Sequence, residues 1–355
     1  MANLKNTTID DTGFIQLPAG TTAQRPASPT AGMIRYNTTE GYSEYYDGTE
    51  WKQIGIAPAF IEASGGTITT DGDFKIHTFT SSGSFIVTDA GGLDGSNSVD
   101  YLVIAGGAGG GNNEGPGPTG TGAGGGGAGG YRESFPNPAI GGFPVAVGTY
   151  PITVGAGGPD QGTPVIVPGQ PSLQSGYVGG SGSNSVFSSI TSAGGGGGGQ
   201  RFGDANAGGS GGGAGYPADT SFGAGNTPPV SPPQGNPGGN GETSPPAHRG
   251  GGGGGAGESG STDGPTAGGD GSSSSINGTL VTRAGGGGGG QGTSGGTGGP
   301  GGDGGGGQGS PDTGTGSNAT ANTGGGGGGA GSTNSSPGRG GAGGSGIVII
   351  RYKFQ

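Results

Sequence analysis

Tyr101-Leu102-Val103-Ile104-Ala105-Gly106-Gly107-Ala108-Gly109-Gly110-Gly111 is the stretch that decides the fold. Residues typical of a buried strand pass without a turn signal into glycines broken once by alanine. The junction recurs. Ile152-Thr153-Val154 leads into Gly155-Ala156-Gly157-Gly158, residues 188–193 lead into the hexaglycine 194–199, and residues 280–284 into the hexaglycine 285–290. Near the end the order inverts, and Gly340-Gly341-Ala342-Gly343-Gly344 precedes Ile347-Val348-Ile349-Ile350-Arg351-Tyr352. With the runs at 250–255 and 324–329, the four hexaglycines start 56, 35 and 39 residues apart, a loose repeat and not a fixed-period solenoid.

Six consecutive glycines are unfavourable in ordered structure, since each loses about 0.5–1 kcal/mol against alanine. One reading of the runs is flexible linker. Against it stands their regular placement after a β-branched strand and before a proline-containing loop. The other reading is a packed bundle of left-handed helices with three residues per turn. Such helices carry no internal hydrogen bonds, so every N–H and C=O must find a neighbour. At a spacing of about 4.8 Å no Cβ fits between neighbours. A six-residue run would span about 19 Å at roughly 3.1 Å per residue.

Composition agrees. Among 355 residues there are 105 glycines and 26 prolines, and only 10% are charged. Residues 194–346 hold 65 glycines in 153 positions and seven large apolar residues, too few for a hydrophobic core. Glycine in runs excludes the strict triplet of collagen. The net charge of −11 argues against a phosphate-neutralising surface, hence no nucleic acid, and against an anionic membrane. The absence of cysteine excludes disulfides and thiolate metal sites. No signal-peptide core or membrane-length apolar run occurs, so synthesis in a cytoplasm without an export signal is expected.

The expected fold class is all-β plus irregular, with essentially no α-helix. Residues 1–57 read as a small β-hairpin segment for attachment and oligomerisation, with short strands around Glu40-Gly41 and Asp47-Gly48 and an extended connector over 23–31. Residues 58–193 read as a sandwich-like β base completed by a strand at 346–353, with strands at 67–70, 74–79, 84–87, 99–105, 150–154 and 186–191. Residues 194–345 read as the polyglycine II domain with variable loops.

Catalytic chemistry is not legible, and neither a metal nor a cofactor is expected. His77 alternates within a strand and reads as a strand-surface residue; His248 sits in a Pro-rich loop beside Arg249. Asp71 and Asp73 flank Gly72 as in a turn, without the oxygen ligands of a calcium loop. The glycine runs lack the Lys-Ser/Thr and helix context of a phosphate loop. Carboxylates in 194–346 stand singly in small-residue loops, and the chain is not read as an enzyme.

The segment Gly13-Phe14-Ile15-Gln16-Leu17-Pro18-Ala19-Gly20-Thr21-Thr22, with Arg25-Pro26, Pro29, Gly32-Met33-Ile34-Arg35-Tyr36-Asn37-Thr38 and Tyr45-Tyr46-Asp47-Gly48-Thr49-Glu50-Trp51, resembles a segment of tailed-bacteriophage structural proteins, cyanophage-type fibres above all. Asp100–Gly107 paired with Gly346–Tyr352 resembles the frame of a glycine-rich fibre-tip domain, similar in composition to the adhesins of T-even-like phages. The resemblance implies a virion fibre, commonly trimeric. It would join other tail or fibre proteins through 1–57 and read a host-cell outer-membrane protein or polysaccharide with its loops. A structural or decoration fibre without a receptor is the alternative; an ice-binding protein would want a flat Thr- or Ala-rich face, which is missing. Rigid aromatics and arginines between glycine runs make efficient contacts. Tyr131, Arg132, Phe135, Phe143, Phe202, Tyr216, Phe222, His248 and Arg249 have that placement, each also explicable as local loop packing. Loops 112–123, 131–146, 200–249, 256–270 and 308–323 are the expected display elements, alternating between opposite ends of the bundle.

Overall fold

The computed structural model describes residues 16–55, 59–92, 95–113, 120–136, 142–160, 177–216, 221–242, 248–292, 296–312, 314–332 and 337–355. The sequence motif at Phe14-Ile15 lies outside these. The chain forms two compact units, residues 1–59 and 60–355.

The first unit is a four-stranded sheet in sequence order: β1 (Ala19–Gly20), β2 (Ile34–Asn37), β3 (Tyr42–Tyr46) and β4 (Trp51–Ile54). Alternation along β2 places Arg35 and Asn37 inside and leaves Ile34 and Tyr36 exposed. The buried face is thus polar. Glu44 is fully buried and takes the Arg25 guanidinium at 2.5 Å, Asn37 Nδ2 at 3.1 Å and Arg35 as an ion pair at 3.4 Å. Both guanidiniums lie about 6 Å from the Trp51 ring centroid. The Arg25 hydrogen bond holds the Glu44 carboxyl below the usual carboxylate range, against the opposing effect of burial. The expected connector at 23–31 is partly ordered: a 3-10 turn, Thr22–Gln24, delivers Arg25 to Glu44. Asp47 closes the last hairpin by accepting from the N–H groups of Thr49 and Glu50.

The second unit begins with β5 (Ile61–Ser64), β6 (Thr67–Asp71), β7 (Phe74–Phe79), β8 (Gly83–Ala90) and β9 (Ser98–Ile104). It continues with β10 (Thr121–Gly122), β11 (Tyr131–Glu133), β12 (Phe143–Pro144), β13 (Gly148–Thr153), β14 (Ser185–Phe187), β15 (Ile190–Ser192), β16 (Ser272–Ser274), β17 (Val281–Arg283), β18 (Gly331–Ser332) and β19 (Ile347–Lys353). One sheet runs β11-β9-β19-β7-β6, with β12 also on β9, and the other runs β15-β14-β13-β8-β5. Phe79, Tyr101, Val348, Ile350 and Tyr352 of the first meet Ile61, Phe85, Val87, Ile152 and Phe187 of the second in one core. The other face of β9 and β19 is covered as well: Leu102, Ile104, Ile347 and Ile349 pack with Ile76 and with Ile276 from the β16–β17 connection. Burial on both faces explains why these two strands are almost wholly apolar. The expected strand at 186–191 is instead a hairpin, β14–β15, turning at Ser188, which adopts φ of +53°.

His77 is not on the surface. It is fully buried in the sandwich core, Nδ1 donating to the Gly65 carbonyl at 2.7 Å and Nε2 accepting from the Tyr352 hydroxyl at 3.1 Å. Phe79 points the same way from β7, and the alternation that suggested an exposed position runs inward here.

The glycine segments form an ordered lattice, not linkers. Along 106–111 the N–H groups donate in rotation to three neighbours. Gly106 and Gly109 reach Ser183 and Gly180; Gly107 and Gly110 reach Gly344 and Gly341; Ala108 and Gly111 reach Gly127 and Gly124. Partners recur every third residue, the signature of a three-residue turn. The run 285–290 repeats the pattern: Gly286 and Gly289 donate to Gly269 and Thr266, Gly287 and Gly290 to Gly126 and Ala123, Gly285 and Gly288 to Gly304 and Gly307. The last pairing is parallel and the first two antiparallel, so the lattice accepts either direction. Its bonds are 2.7–3.3 Å long. A Cβ built on Gly287 would lie 2.0 Å from the Gly327 carbonyl oxygen, and one on Gly125 an equal 2.0 Å from that of Gly287. The lattice is not confined to 194–345, because 106–111, 120–130, 155–158 and 179–183 belong to it.

Two predictions follow from this packing. Gly287→Val is expected to destabilise the fold by at least about 3 kcal/mol, because the obstructing atoms are backbone. Gly83→Ala, whose Cβ would meet only Phe79 at 3.8 Å, is expected to stay within about 1 kcal/mol of wild type. Thermal unfolding of both proteins decides, and equal midpoints would exclude the lattice. For His77, burial lowers the pKa below the ordinary 6.5, so the fold holds the neutral ring while the unfolded chain takes up a proton first. Its contribution is complete above about pH 6.5 and declines as pH falls toward the lowered folded value. The stability gap between wild type and His77→Gln should therefore narrow on acidification; a gap independent of pH would show that His77 does not titrate in this range.

Candidate functional site

Hydrogen-bond register assigns each lattice segment a direction. Segment 106–111 leaves β9 and ends at Asn112; 120–130 returns to β11; 194–199 leaves β15; 210–216 and 234–242 run outward and 248–255 runs back. Segment 285–292 leaves β17, 324–332 runs outward, and 338–346 returns to β19. The chain enters this unit at Phe60, whose ring lies under Lys353 of β19. One end of the bundle is therefore the sandwich; at the other, outgoing segments give way to returning ones, where 114–119, 217–220, 243–247, 293–295 and 333–336, and with them part of the expected loop 112–123, lie outside the described residues.

At that distal end the last lattice groups are closed by side chains. Gly340 N–H donates to Asn112 Oδ1 at 2.7 Å, Asn113 Nδ2 to the Thr121 carbonyl at 2.7 Å, and Gly331 N–H to Ser310 Oγ at 2.5 Å. These residues play the part that Asn, Ser and Thr play at helix ends. An amide residue directly after a glycine run marks them in the sequence, as in Gly111-Asn112, Gly199-Gln200 and Gly290-Gln291, a signal the composition-based reading passed over.

The distal turns present aromatics and charge. Phe202 is 66% exposed and adopts φ of +61°, with the Arg201 guanidinium 4.7 Å from its ring centroid. A bulky side chain in the left-handed region is an outlier of the kind that clusters at functional sites. On the adjoining chain Tyr216 lies against His248, centroids 4.5 Å apart. His248 Nδ1 donates to the Gly120 carbonyl at 2.8 Å, which orients the ring. Arg249 pairs with Glu242 at 3.1 Å and donates to Gln291 Oε1 at 3.1 Å. Phe222 lies beside a shallow groove with Pro237, Glu242 and Ser261.

The nine sequence candidates thus divide. Phe202, Tyr216, Phe222, His248 and Arg249 lie toward the distal end, while Tyr131, Arg132, Phe135 and Phe143 lie at the sandwich end. Phe143 packs into the core, 5.1 Å from Phe187, and Phe135 lies against the second cluster beneath Arg351. The stretch 200–249, expected as a display loop, is not one loop. Residues 205–216, 221–226 and 234–242 are lattice segments, and Pro228, Pro229, Pro232 and Pro233 stand in a sandwich-end turn at 226–234; Pro245 and Pro246 lie outside the described residues. Of loop 308–323, residues 314–320 are likewise lattice, Ser317 donating to Gln308.

Among the described residues one acidic trio stands close, Glu258, Asp263 and Asp270, with oxygens within 4.8 Å of one another. Glu258 accepts from the Asp270 N–H and Asp270 from the Asp303 N–H, so these carboxylates close sandwich-end turns. Gly72 and Asp73 form the β6–β7 turn, and Asp71, at the end of β6, pairs with Arg351 at 2.8 Å.

A family model for a glycine-rich domain matches residues 80–353, from the end of β7 through the lattice to β19. The chain belongs to this glycine-rich domain family. No curated protein matches it. The matched span ends inside β19, so the family unit comprises the lattice together with strands that anchor it.

Phe202→Gly is expected to leave stability within about 1 kcal/mol of wild type: relief of the left-handed strain, about 1–2 kcal/mol, offsets the lost exposed stack of about 0.5–1 kcal/mol and the entropy of glycine. Phe143→Ala should cost about 3 kcal/mol. Urea unfolding of the two variants separates display residues from core residues; a large loss for Phe202→Gly would make Phe202 a packing residue.

Proposed function

We propose that this glycine-rich domain protein is a bacteriophage virion fibre that adsorbs to the host cell through turns displayed at the distal end of its lattice. The observation that carries the reading is the exposed, left-handed Phe202 with Arg201, Tyr216, His248 and Arg249, opposite the end where the chain enters the unit. A lattice of backbones presents one repeating surface and discriminates poorly, whereas turns of differing length and chemistry supply specificity. Stiff mounting lowers the entropy lost on contact. The receptor class is a host outer-membrane protein or polysaccharide. Binding of the purified full chain to intact candidate host cells tests this. The combined variant Phe202→Gly, Tyr216→Ala, Arg249→Ala is expected to bind at least about tenfold more weakly. Unchanged binding would leave a purely structural fibre in its place.

In the same reading, residues 1–57 attach to neighbouring virion proteins and assemble the chain, as a homotrimer. Among its described residues the first unit buries no apolar side chain, while Ile34, Tyr36, Tyr45 and Ile54 are each 39–47% exposed on one sheet face. A unit of this size without an apolar core gains stability by covering that face. Mass measurement of the full chain and of a chain lacking 1–57 should give an oligomer and a smaller species; two monomers would remove the assembly role.

A further inference from the structure

The turn 226–234 at the sandwich end is tied down from within. Asn226 Oδ1 accepts from the Val230 and Gln234 N–H groups, Gln234 Nε2 donates to the Pro228 carbonyl, and Gln234 Oε1 accepts from the Ala193 N–H at 2.8 Å. The Gln234 carbonyl accepts from Tyr131 N–H of the edge strand β11. This fastening holds Pro232 and Pro233 over β11, and between turn and strand lies a cavity of about 180 Å³ lined also by Tyr101, Tyr131, Arg132 and Glu133.

Neither lattice nor core accounts for the polar groups here. Tyr101 is only 6% exposed, yet its hydroxyl bonds to no described residue. The hydroxyl is left to bond whatever enters the cavity. Arg132 makes one long contact, 3.4 Å to the Thr191 carbonyl, which leaves most of its fork of donors available. Glu133 is held in place by the Tyr131 hydroxyl at 2.8 Å and by Ser274 Oγ. Burial pushes its carboxyl above the usual carboxylate range.

We propose that this cavity binds a single neutral sugar ring, with Tyr101 and Arg132 bonding ring hydroxyls and the ring's C–H face lying on Pro232 and Pro233. The volume is below that of drug-sized pockets. An anion would meet Glu133 and a cation would meet Arg132, whereas a neutral polyol satisfies donors and acceptors together. The site lies at the opposite end from the distal turns and does not rest on the fibre reading.

Saturation-transfer NMR on the full chain with free glucose, galactose, mannose and N-acetylglucosamine tests the assignment. At least one sugar should show transfer to its ring protons. Tyr101→Phe keeps the ring packing and removes only the hydroxyl, so it should melt as wild type and bind at least about tenfold more weakly; Arg132→Ala should weaken binding similarly. The assignment is overturned if no sugar shows transfer, if inorganic phosphate alone binds, or if both variants bind as wild type.

Discussion

Backbone hydrogen bonding between chains too close to admit a side chain is the constraint on which this fold depends. In a strand both edges are used and both faces are free for side chains. In the lattice each turn of three residues directs its N–H groups to three different neighbours, as Gly106, Gly107 and Ala108 do, so no direction remains for a Cβ at most positions. Glycine is therefore required by its neighbours' carbonyl oxygens and not by flexibility. Each bond contributes about 1 kcal/mol net, and the entropy of ordering glycine is offset only where the array is extensive.

Such an array has no register of its own, because one glycine segment resembles another. The sandwich supplies it. β9 and β19 pair side by side, from Ile347 opposite Ile104 to Arg351 opposite Asp100, and both continue directly into lattice segments 106–111 and 338–346. Their side chains are specified on both faces. A slip of one residue would turn Val348 and Ile350 out of the core. The phase fixed there is carried outward through the first lattice bonds, and the Asn and Ser residues of the distal end close what remains.

Much of this was legible. A β-branched run entering glycines at 101–111 and 280–290 was enough to place strand-to-lattice junctions, since few other structures make use of that order of residues. The interior of 200–249 was not, because its lattice segments are short and mixed with Asn, Ala and Ser, so that no single run stands out against the prolines. His77 was misread for a different reason: alternation gives the period of a strand and not which face is inward, and the partners that make burial tolerable, Gly65 and Tyr352, are distant in sequence. The first unit inverts the usual rule altogether, burying Arg35, Asn37 and Glu44 and exposing Ile34 and Tyr36. Composition read as ordinary there hides a sheet held by charge. Where each candidate residue lies was not legible, because which end a turn occupies depends on how many times the chain has already crossed the bundle.

The lattice has a thermal consequence. Heat capacity rises on unfolding because apolar surface meets water, and falls with exposure of peptide groups. Among the described residues between Gly194 and Gly346, chiefly peptide groups are buried, with Ile276 the one large apolar side chain among the fully buried. Unfolding them exposes polar backbone in unusual proportion, so the increment per residue lies below that of an ordinary globular domain. The stability curve is correspondingly broad, with weak curvature on both the cold and the warm side of its maximum. A scaffold of this kind keeps nearly the same stability over a wide span of temperature.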